Sequence, residues 1–163
     1  MTAPFPPRLA AAGVLITGPG GCHLLVRTHN RTGLVLPGGM VEPDEPPAAA
    51  AEREVREEVG LDVRVTRLLT VQHRTAERGF PERLMFVFDC PSYSERPALT
   101  LQAEEIAEVH WLTTEEAVAR HVEGGRSRIG AAFEARRSGT CVYVDAERSL
   151  PAQTDDGPSS SRG

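Results

Sequence analysis

The sequence contains no apolar run that approaches the roughly 20 residues needed to cross a bilayer. Residues 1–7 lack the charged start and apolar centre of a secretory signal peptide. Basic residues are fewer than acidic ones, and the net charge of −5 argues against a general affinity for nucleic acid or anionic membranes. From these absences we expect a cytoplasmic protein that neither enters a membrane nor binds nucleic acid stably.

Cysteine is scarce as well, and the three residues Cys22, Cys90 and Cys141 form no close pair in the sequence. An odd number of separated cysteines indicates reduced thiols in a reducing compartment. Because no Cys-x-x-Cys or neighbouring histidine spacing suggests zinc, we interpret all three as small buried apolar side chains.

Internal repeats and a second domain are also absent from the sequence, and 163 residues suit one domain with one core. We predict a flexible, proline-rich lead-in at residues 1–7 and a single domain at residues 8–148. Residues 149–163 are rich in Ser, Gly, Asp and Pro, and we predict that they form a disordered tail.

What the sequence does contain is a series of short apolar segments separated by turn-forming residues. They predict strands at residues 9–17, 22–27, 34–36, 61–72, 83–89, 106–112 and 142–144. Helices are predicted at residues 47–59 and 127–137, and another begins at the capping-box spacing of residues 113–116. Strands and helices mixed in this order favour an α/β sandwich.

The most informative segment is an acidic cluster formed by Glu54, Glu57 and Glu58. On a helix these carboxylates lie at i, i+3 and i+4, with Cβ atoms roughly 5–6 Å apart, so they repel one another. A hard divalent cation, which prefers carboxylate oxygens, would convert that repulsion into attraction. The alternative is a solvated helix face with ion pairs, such as Glu52 with Arg56.

The residues around the cluster favour the metal site over the solvated face. The tetrapeptide Leu-Pro-Gly-Gly at residues 36–39 precedes the predicted helix, prolines 46 and 47 stand where a helix can begin, and Gly60 stands where one can end. The glutamates lie about a third of a turn from the apolar stripe of the helix. The helix can therefore bury one face against a sheet and direct its acids into an adjoining cleft. The stripe consists of Ala48, Ala51, Val55 and Val59.

Residues 39–61 resemble a Nudix box, the signature G-x5-E-x7-R-E-U-x-E-E-x-G-U in which U is a bulky aliphatic residue. The motif is long and specific, and the resemblance extends from about residue 8 to about residue 145. Similarity to the Nudix hydrolases implies an α/β/α sandwich with a mixed β-sheet, and a metal-dependent enzyme that cleaves a diphosphate linkage in a nucleoside diphosphate derivative. Every fixed position is filled, by Gly39, Glu45, Arg53, Glu54, Val55, Glu57, Glu58, Gly60 and Leu61.

The resemblance also implies roles for the acidic residues. Glu54, Glu57 and Glu58 match the metal-ligand positions of the family, and Gly38 matches the residue whose backbone carbonyl often completes the site. Magnesium, or manganese, suits such all-oxygen coordination. Nudix enzymes differ in where the general base lies. Candidates are Glu54, Glu58 and an acid from a later loop, where Glu104 and Glu105 precede a predicted strand; the alternative for these two is a solvated turn.

Other residues are predicted to support the site or to bind substrate. Glu45 is expected to support the loop, and Arg53, four residues before Glu57, is expected to orient that carboxylate. Gly39 and Gly60 are interpreted as conformational, because glycine adopts backbone angles that other residues resist. The arginines predicted to contact substrate phosphates are Arg27 and Arg78, with Arg31, Arg74 and Arg83 as further candidates.

Two alternatives to a hydrolase remain open at this point. A non-catalytic Nudix domain could bind a nucleotide as a regulator, although such domains usually lose box carboxylates and this chain keeps all of them. An isomerase acting on an isoprenoid diphosphate uses a similar scaffold, but the cysteines here lack a suitable catalytic arrangement. We therefore predict a hydrolase that acts on a small-molecule nucleotide, of the nucleoside triphosphate or nucleotide sugar type, as a monomer or homodimer.

Overall fold

Seven strands and three α-helices form the part of the protein that the computed structural model describes, residues 8–76 and 79–145. The predicted lead-in at 1–7 and the predicted tail at 149–163 lie outside these residues. No helix within the described ranges is long and apolar enough to cross a membrane. In chain order the elements are β1 (Leu9–Leu15), β2 (His23–Thr28), β3 (Gly38–Met40), α1 (Pro47–Val59), β4 (Arg67–Arg74), β5 (Arg83–Asp89), β6 (Ile106–Leu112), α2 (Thr114–Arg120), α3 (Arg126–Ser138) and β7 (Val142–Val144).

Five of the strands form one mixed sheet in the order β3-β1-β5-β4-β7, and β2 pairs with β6 in a separate antiparallel sheet. β1 runs antiparallel to β3 and parallel to β5, with a register that extends from Leu9↔Arg83 to Leu15↔Asp89. β3, which carries the glycines of the box, is therefore an edge strand of the main sheet. This position leaves its outer side available to α1 and to a ligand.

Both faces of the main sheet are buried, each against a different helix. Side chains alternate between the two faces of a strand, so neighbouring residues of β1 enter different cores. Val14 packs in one cluster with Val55 and Val59 of α1. Leu15 packs in a second cluster with Ile129 of α3. This layering confirms the predicted α/β/α sandwich with a mixed sheet.

Most of the predicted elements are confirmed. α1, β5, β6 and β7 begin and end at the predicted residues. The capping box is present at the start of α2, where the Thr113 hydroxyl accepts from the N–H of Glu116 at 3.3 Å and the Glu116 carboxylate accepts from the N–H of Thr113 at 3.0 Å. The local sequence signals of these elements are strong, and tertiary contacts did not change where the elements begin and end.

Three predictions in the first half of the chain were wrong in position. The strand predicted at 34–36 contributes only isolated bridges, and the strand of this region begins at Gly38. β4 begins at Arg67 instead of residue 61, because Leu61 is buried beside α1 without pairing in the sheet. In α1, Ala48 is only half-buried, and Ala50 occupies the core in its place.

The three cysteines are free thiols with different environments. Cys90 is buried, and this burial raises the pKa of its thiol to about 11. Cys22 is half-buried and Cys141 is exposed. The prediction of three buried cysteines was therefore right for Cys90 alone.

We expect Gly130→Ala to raise the free energy of unfolding by about 0.5–1 kcal/mol, because glycine in a helix interior is less favourable than alanine. Gly130 lies inside α3, and a Cβ there would meet nothing within 4 Å. Urea unfolding of the variant and the wild type measures the difference. Gly60→Ala is the comparison, because Gly60 has φ +73° and an added Cβ would stand 2.9 Å from Cβ of Thr100. A loss of stability in both variants would contradict the prediction.

Candidate active site

Helix α1 begins at two prolines and ends at a glycine, and these residues determine where its carboxylates stand. Pro46 is extended at the N-cap, and Pro47 occupies the first helical position, where an N–H would have no helical partner. Gly60 ends the helix with φ +73°, and its N–H donates to the carbonyl of Arg56 at 3.0 Å. The left-handed backbone of Gly60 agrees with the conformational role predicted for it.

Strand β3 brings the backbone of two glycines against the acidic face of α1. Gly38 has φ +148°, and a Cβ there would stand 2.2 Å from the carbonyl oxygen of Ala12. The N–H of Gly38 donates to Oε2 of Glu58 at 2.8 Å. Gly39 has no left-handed φ, so the conformational role predicted for it is wrong. A Cβ there would stand 2.6 Å from both carboxylate oxygens of Glu54, so glycine is needed at this position for space.

Glu58 is the most buried carboxylate of the cluster, with 1% of its surface exposed. Burial raises the pKa of Glu58 to about 8; the hydrogen bond from Gly38 opposes this shift, and the charges of Glu105, Glu54 and Glu57 reinforce it. Without a nearby cation the side chain is therefore mostly protonated at neutral pH. The spacing in the sequence does not reveal which of the three box glutamates is covered by the sheet.

Glu105 comes to the acidic cluster from the loop before β6. The loop is attached to the end of α1 by two backbone hydrogen bonds, since the N–H groups of Thr100 and Gln102 donate to the carbonyls of Val59 and Glu58, each at 3.0 Å. The charge of Glu105 contributes to the raised pKa values of both Glu54 and Glu58. The structure therefore brings this predicted acid to the box helix.

Opposing effects act on the pKa of Glu54. Burial raises its pKa, the hydrogen bond and charge of Arg53 lower it, and the charges of Glu57 and Glu105 raise it further. The carboxylate lies beside the backbone of Gly39, as described above. Glu54 is thus partly buried, close to other carboxylates, and held by one arginine.

Arg53 connects the acidic residues of the site. Its Nη1 donates to Oε1 of Glu54 at 2.9 Å and to Oε2 of Glu57 at 3.1 Å. Its Nε and Nη2 donate to the Glu45 carboxylate at 2.8 and 2.9 Å, and this contact lowers the pKa of Glu45 to about 2. Glu45 also accepts from the N–H of Glu42 at 3.0 Å, which fixes the loop between β3 and α1. These contacts agree with the supporting roles predicted for Arg53 and Glu45.

The donor atoms of this region fit a hard divalent cation, although they do not form a ready-made cage. Among residues 8–76 and 79–145, no three His, Cys, Asp or Glu side chains converge into a metal cluster. The fit lies in the chemistry, because burial makes the ionised form of Glu58 and Glu54 unfavourable, and a bound Mg²⁺ or Mn²⁺, which prefers oxygen ligands, would stabilise that form. The side chain of Glu57 is half exposed and bonded to Arg53, so it can turn toward such an ion.

We expect Glu58→Gln to stabilise the metal-free protein at alkaline pH. The folded-state pKa of Glu58, about 8, lies above its ordinary 4.5, so its contribution to stability is complete below the ordinary pKa and is lost as pH rises through about 8. Melting temperatures in EDTA at about pH 6 and about pH 9 measure this loss, which the variant should not show.

Two additional measurements make this test specific. Glu115→Gln, which removes an exposed carboxylate at the start of α2, should follow the wild type at both pH values. With magnesium the wild type should melt at a higher temperature than Glu58→Gln, because a bound ion stabilises the wild type and the Gln variant lacks one of its ligands. If wild type and Glu58→Gln responded to pH in parallel, Glu58 would not be the buried carboxyl that controls stability.

The two arginines predicted to bind substrate stay predictions. Nη2 of Arg27 donates to Oε1 of Glu108 at 2.5 Å across the sheet of β2 and β6. Arg78 lies outside the described residues.

Comparison with known proteins gives consistent matches in sequence. The family model described as the NUDIX domain matches residues 7–133. A MutT-like protein of Streptomyces ambofaciens is 34% identical over 122 residues, which are 75% of this chain and 74% of that protein. An RNA pyrophosphohydrolase of Pseudomonas fluorescens (strain SBW25) is 33% identical over 73 residues, 45% of this chain and 46% of that protein.

A solved structure shares the fold. The MutT protein from Methanosarcina mazei Go1 superposes with a TM-score of 0.69 at 23% identity, and the match covers 80% of this chain and 96% of that chain. The segment matched by the family model contains the complete box of residues 39–61, the helix that carries its glutamates and the strand that carries its glycines. The chain therefore belongs to the Nudix hydrolase family.

Proposed function

We propose that this protein is a metal-dependent hydrolase that cleaves a diphosphate linkage in a nucleoside diphosphate derivative. The observation that carries the proposal is the placement of two buried or partly buried box carboxylates, Glu54 and Glu58, against the glycines of β3, where the charge of Glu105 from the loop before β6 also acts on them. A domain that bound a nucleotide without a cation would be hindered by this arrangement, because carboxylates repel a phosphate unless a cation lies between them.

We propose Mg²⁺, or Mn²⁺, as the cofactor, held by Glu54, Glu57, Glu58 and the carbonyl of Gly38. When bound, such an ion neutralises phosphate oxygens and lowers the pKa of a coordinated water. The protein contributes orientation, because Gly38 holds Glu58 by a hydrogen bond at 2.8 Å and Arg53 holds Glu54 at 2.9 Å. Carboxylates fixed in this way need less reorganisation when the ion and the substrate bind.

We propose Glu105 as the general base, with Glu54 and Glu58 as the alternatives. Glu105 stands near both of these glutamates but belongs to a different segment. A carboxylate outside the ligand set can accept a proton from the attacking water without releasing the metal.

The proposed substrate is a small-molecule nucleotide, such as a nucleoside triphosphate or a nucleotide sugar. The name of one relative, an RNA pyrophosphohydrolase, supports the cleavage of a pyrophosphate bond. The proposed setting is the cytoplasm, since the free thiols of Cys22, Cys90 and Cys141 suit a reducing compartment.

A substrate panel tests this proposal. Nucleoside triphosphates, nucleotide sugars and dinucleoside polyphosphates are incubated with the purified protein and magnesium, and released nucleotide, phosphate and pyrophosphate are measured. We expect at least one class to be cleaved with magnesium or manganese, and none in EDTA. A protein that bound nucleotides but cleaved no compound of the panel with either ion would contradict the hydrolase proposal and favour a regulatory domain.

A further inference from the structure

The first turn of α3 contains a buried guanidinium outside the acidic site. Arg128 is 8% exposed, and its Nη1 donates to Oε1 of Gln72 on β4. Within residues 8–76 and 79–145, no carboxylate forms an ion pair with Arg128. Burying a charge without a counter-charge is unfavourable, so such a group indicates an anion supplied by a ligand.

A second buried polar group lies against Arg128. His121 is 2% exposed; its Nδ1 bonds the carbonyl of Val122 at 3.0 Å, and its Nε2 has no partner in the described part of the chain. The ring and the guanidinium are neighbours, because a Cβ on Gly125 would stand 2.3 Å from Cε1 of His121 and 2.9 Å from Nη2 of Arg128.

The protonation of His121 determines what its free nitrogen can bind. Burial lowers the pKa of His121 to about 4; the hydrogen bond to Val122 opposes this shift, and the charges of Arg128, Arg126 and Arg31 reinforce it. The ring is therefore neutral at physiological pH. With its Nδ1 proton directed at Val122, the neutral ring presents Nε2 as an acceptor, which suits a hydroxyl group.

Three other arginines act electrostatically on Arg128. Burial, followed by the charges of Arg74, Arg83 and Arg31, lowers the pKa of Arg128 to about 10. Arg74 is held close to Gly125, which lies beside His121 and Arg128, since its Nη1 donates to the carbonyl of Gly124 at 2.6 Å. An anion bound at Arg128 would therefore feel the field of several cations.

The main sheet connects Gln72 and its partner Arg128 to the glycine edge beside the box glutamates. The strand registers align Met40, Ala11, Met85 and Gln72 in one row across β3, β1, β5 and β4. Three strand spacings of about 4.8 Å place the ends of the row roughly 14 Å apart. Met40 is 45% exposed, so the row is open at the β3 end.

The loop that follows β2 also connects Glu105 of the acidic site with His121 and Arg128. The N–H of His29 donates to the carbonyl of Glu105 at 3.0 Å. Arg31, two residues further along the same exposed loop, acts electrostatically on both His121 and Arg128. A ligand that lies between Glu105 and Arg128 could therefore contact both His29 and Arg31.

We propose that the buried polar cluster formed by Gln72, His121 and Arg128, called here the Arg128 pocket, binds a phosphoryl group on the ribose of a nucleotide substrate. Arg128 donates to the phosphate oxygens, and Nε2 of His121 accepts from the neighbouring ribose hydroxyl. The substrates of the enzyme are then nucleoside diphosphate derivatives that carry a second phosphate at the 2′ or 3′ position. This assignment of substrate rests on the proposed hydrolase function, whereas the anion site itself does not.

Calorimetric titration in EDTA tests the pocket independently of catalysis. The probes are adenosine 5′-monophosphate and the 2′,5′- and 3′,5′-bisphosphates of adenosine. We expect the wild type to bind one of the bisphosphates about tenfold or more tighter than the monophosphate, because the added phosphate gains charge-assisted hydrogen bonds. Comparing the two bisphosphates shows which ribose position is recognised.

Three variants locate this preference. Gln72→Glu has the same size and gives Arg128 a carboxylate partner, so it should fold and lose the preference. Arg31→Gln, on the exposed loop, should weaken the preference several-fold. Arg64→Gln removes an exposed arginine between α1 and β4; it changes the net charge by the same amount as Gln72→Glu and should keep the preference.

Several results would overturn the proposal. The proposal is wrong if the wild type binds the monophosphate and both bisphosphates with equal affinity. It is also wrong if the folded Gln72→Glu variant keeps the preference for a bisphosphate. Tighter binding of guanosine than of adenosine 5′-monophosphate, with no gain from a second phosphate, would show that the pocket recognises a base.

Hydrolysis of adenosine 5′-diphosphate with and without a 2′- or 3′-phosphate separates this proposal from the proposed function. Cleavage without any effect of the extra phosphate would reject the Arg128 pocket as a substrate site and leave the hydrolase standing. Tighter bisphosphate binding without cleavage of any pyrophosphate compound would reject the hydrolase and support the anion site.

Discussion

We expect Glu58→Gln to lower kcat by about 10²–10⁴-fold while leaving the protein folded, because a metal ion contributes several kcal/mol of charge stabilisation and the variant lacks one of its ligands. The amide has nearly the same volume as the carboxyl group, and its oxygen can still accept the N–H of Gly38, which now lies 2.8 Å from Oε2. It carries no negative charge for a cation and cannot accept a proton from water. Steady-state kinetics at saturating substrate, with Glu115→Gln as a control on exposed α2, measures the loss.

The magnesium dependence of the variants separates a metal ligand from a general base. Loss of a ligand raises the magnesium concentration needed for half-maximal activity, in addition to any fall in kcat, whereas loss of the base lowers kcat and leaves that concentration unchanged. We expect the first behaviour from Glu57→Gln and Glu58→Gln, and the second from Glu105→Gln. Full activity of both Glu57→Gln and Glu58→Gln would show that the box carboxylates do not hold the metal.

The sequence was sufficient to predict the helix that carries these glutamates, because its signals are local. The prolines at its start, its alanines and Gly60 at its end specify α1 without reference to the rest of the chain. Spacing also shows that Glu54, Glu57 and Glu58 share one side of the helix. Which of them is covered depends on where β3 lies, and that is decided by pairing with β1, far away in the sequence.

The positions of two strands could not be predicted for the same reason. Glycine has low strand propensity, so residues 38–40 do not resemble a strand until β1 supplies the hydrogen-bonding partner. Residues 61–66 continue the apolar alternation of a strand, but Leu61 and Val63 are buried around α1 instead of within a ladder. Local pattern identifies an extended segment, whereas its partner determines whether it becomes a strand.

Arg128 was missed although the sequence contained a signal that could have revealed it. The buried residues of α3 are Arg128, Ile129, Ala132 and Ala135. Positions 128, 132 and 135 follow the i, i+4, i+7 spacing of a core stripe, so an arginine at the first of them is out of place. A charged residue at a core position indicates either a buried partner or a ligand.

We expect Gly39→Ala to lower kcat/KM by about a hundredfold with little loss of stability. A new Cβ would stand 2.5 Å from Cδ of Glu54, so the carboxylate must move, and displacing a reacting group by about 1 Å can reduce the rate by that factor. The fold should tolerate the change, because Gly39 has no left-handed φ and the obstructing atoms are the end of a flexible side chain. Kinetics across a magnesium titration, together with thermal unfolding, measures both effects.

The neighbouring glycine shows why the two positions should respond differently. In Gly38→Ala the added Cβ would stand 2.2 Å from the carbonyl oxygen of Ala12 and 2.4 Å from Cα of Gly13, at a backbone φ of +148°. Backbone atoms of a paired strand cannot move aside as a side chain can, so this variant should lose its fold, whereas Gly130→Ala should keep full activity. If Gly39→Ala folded normally and retained wild-type kcat/KM and magnesium dependence, Glu54 could leave its present place without consequence. It would then have to be removed from the proposed metal ligands.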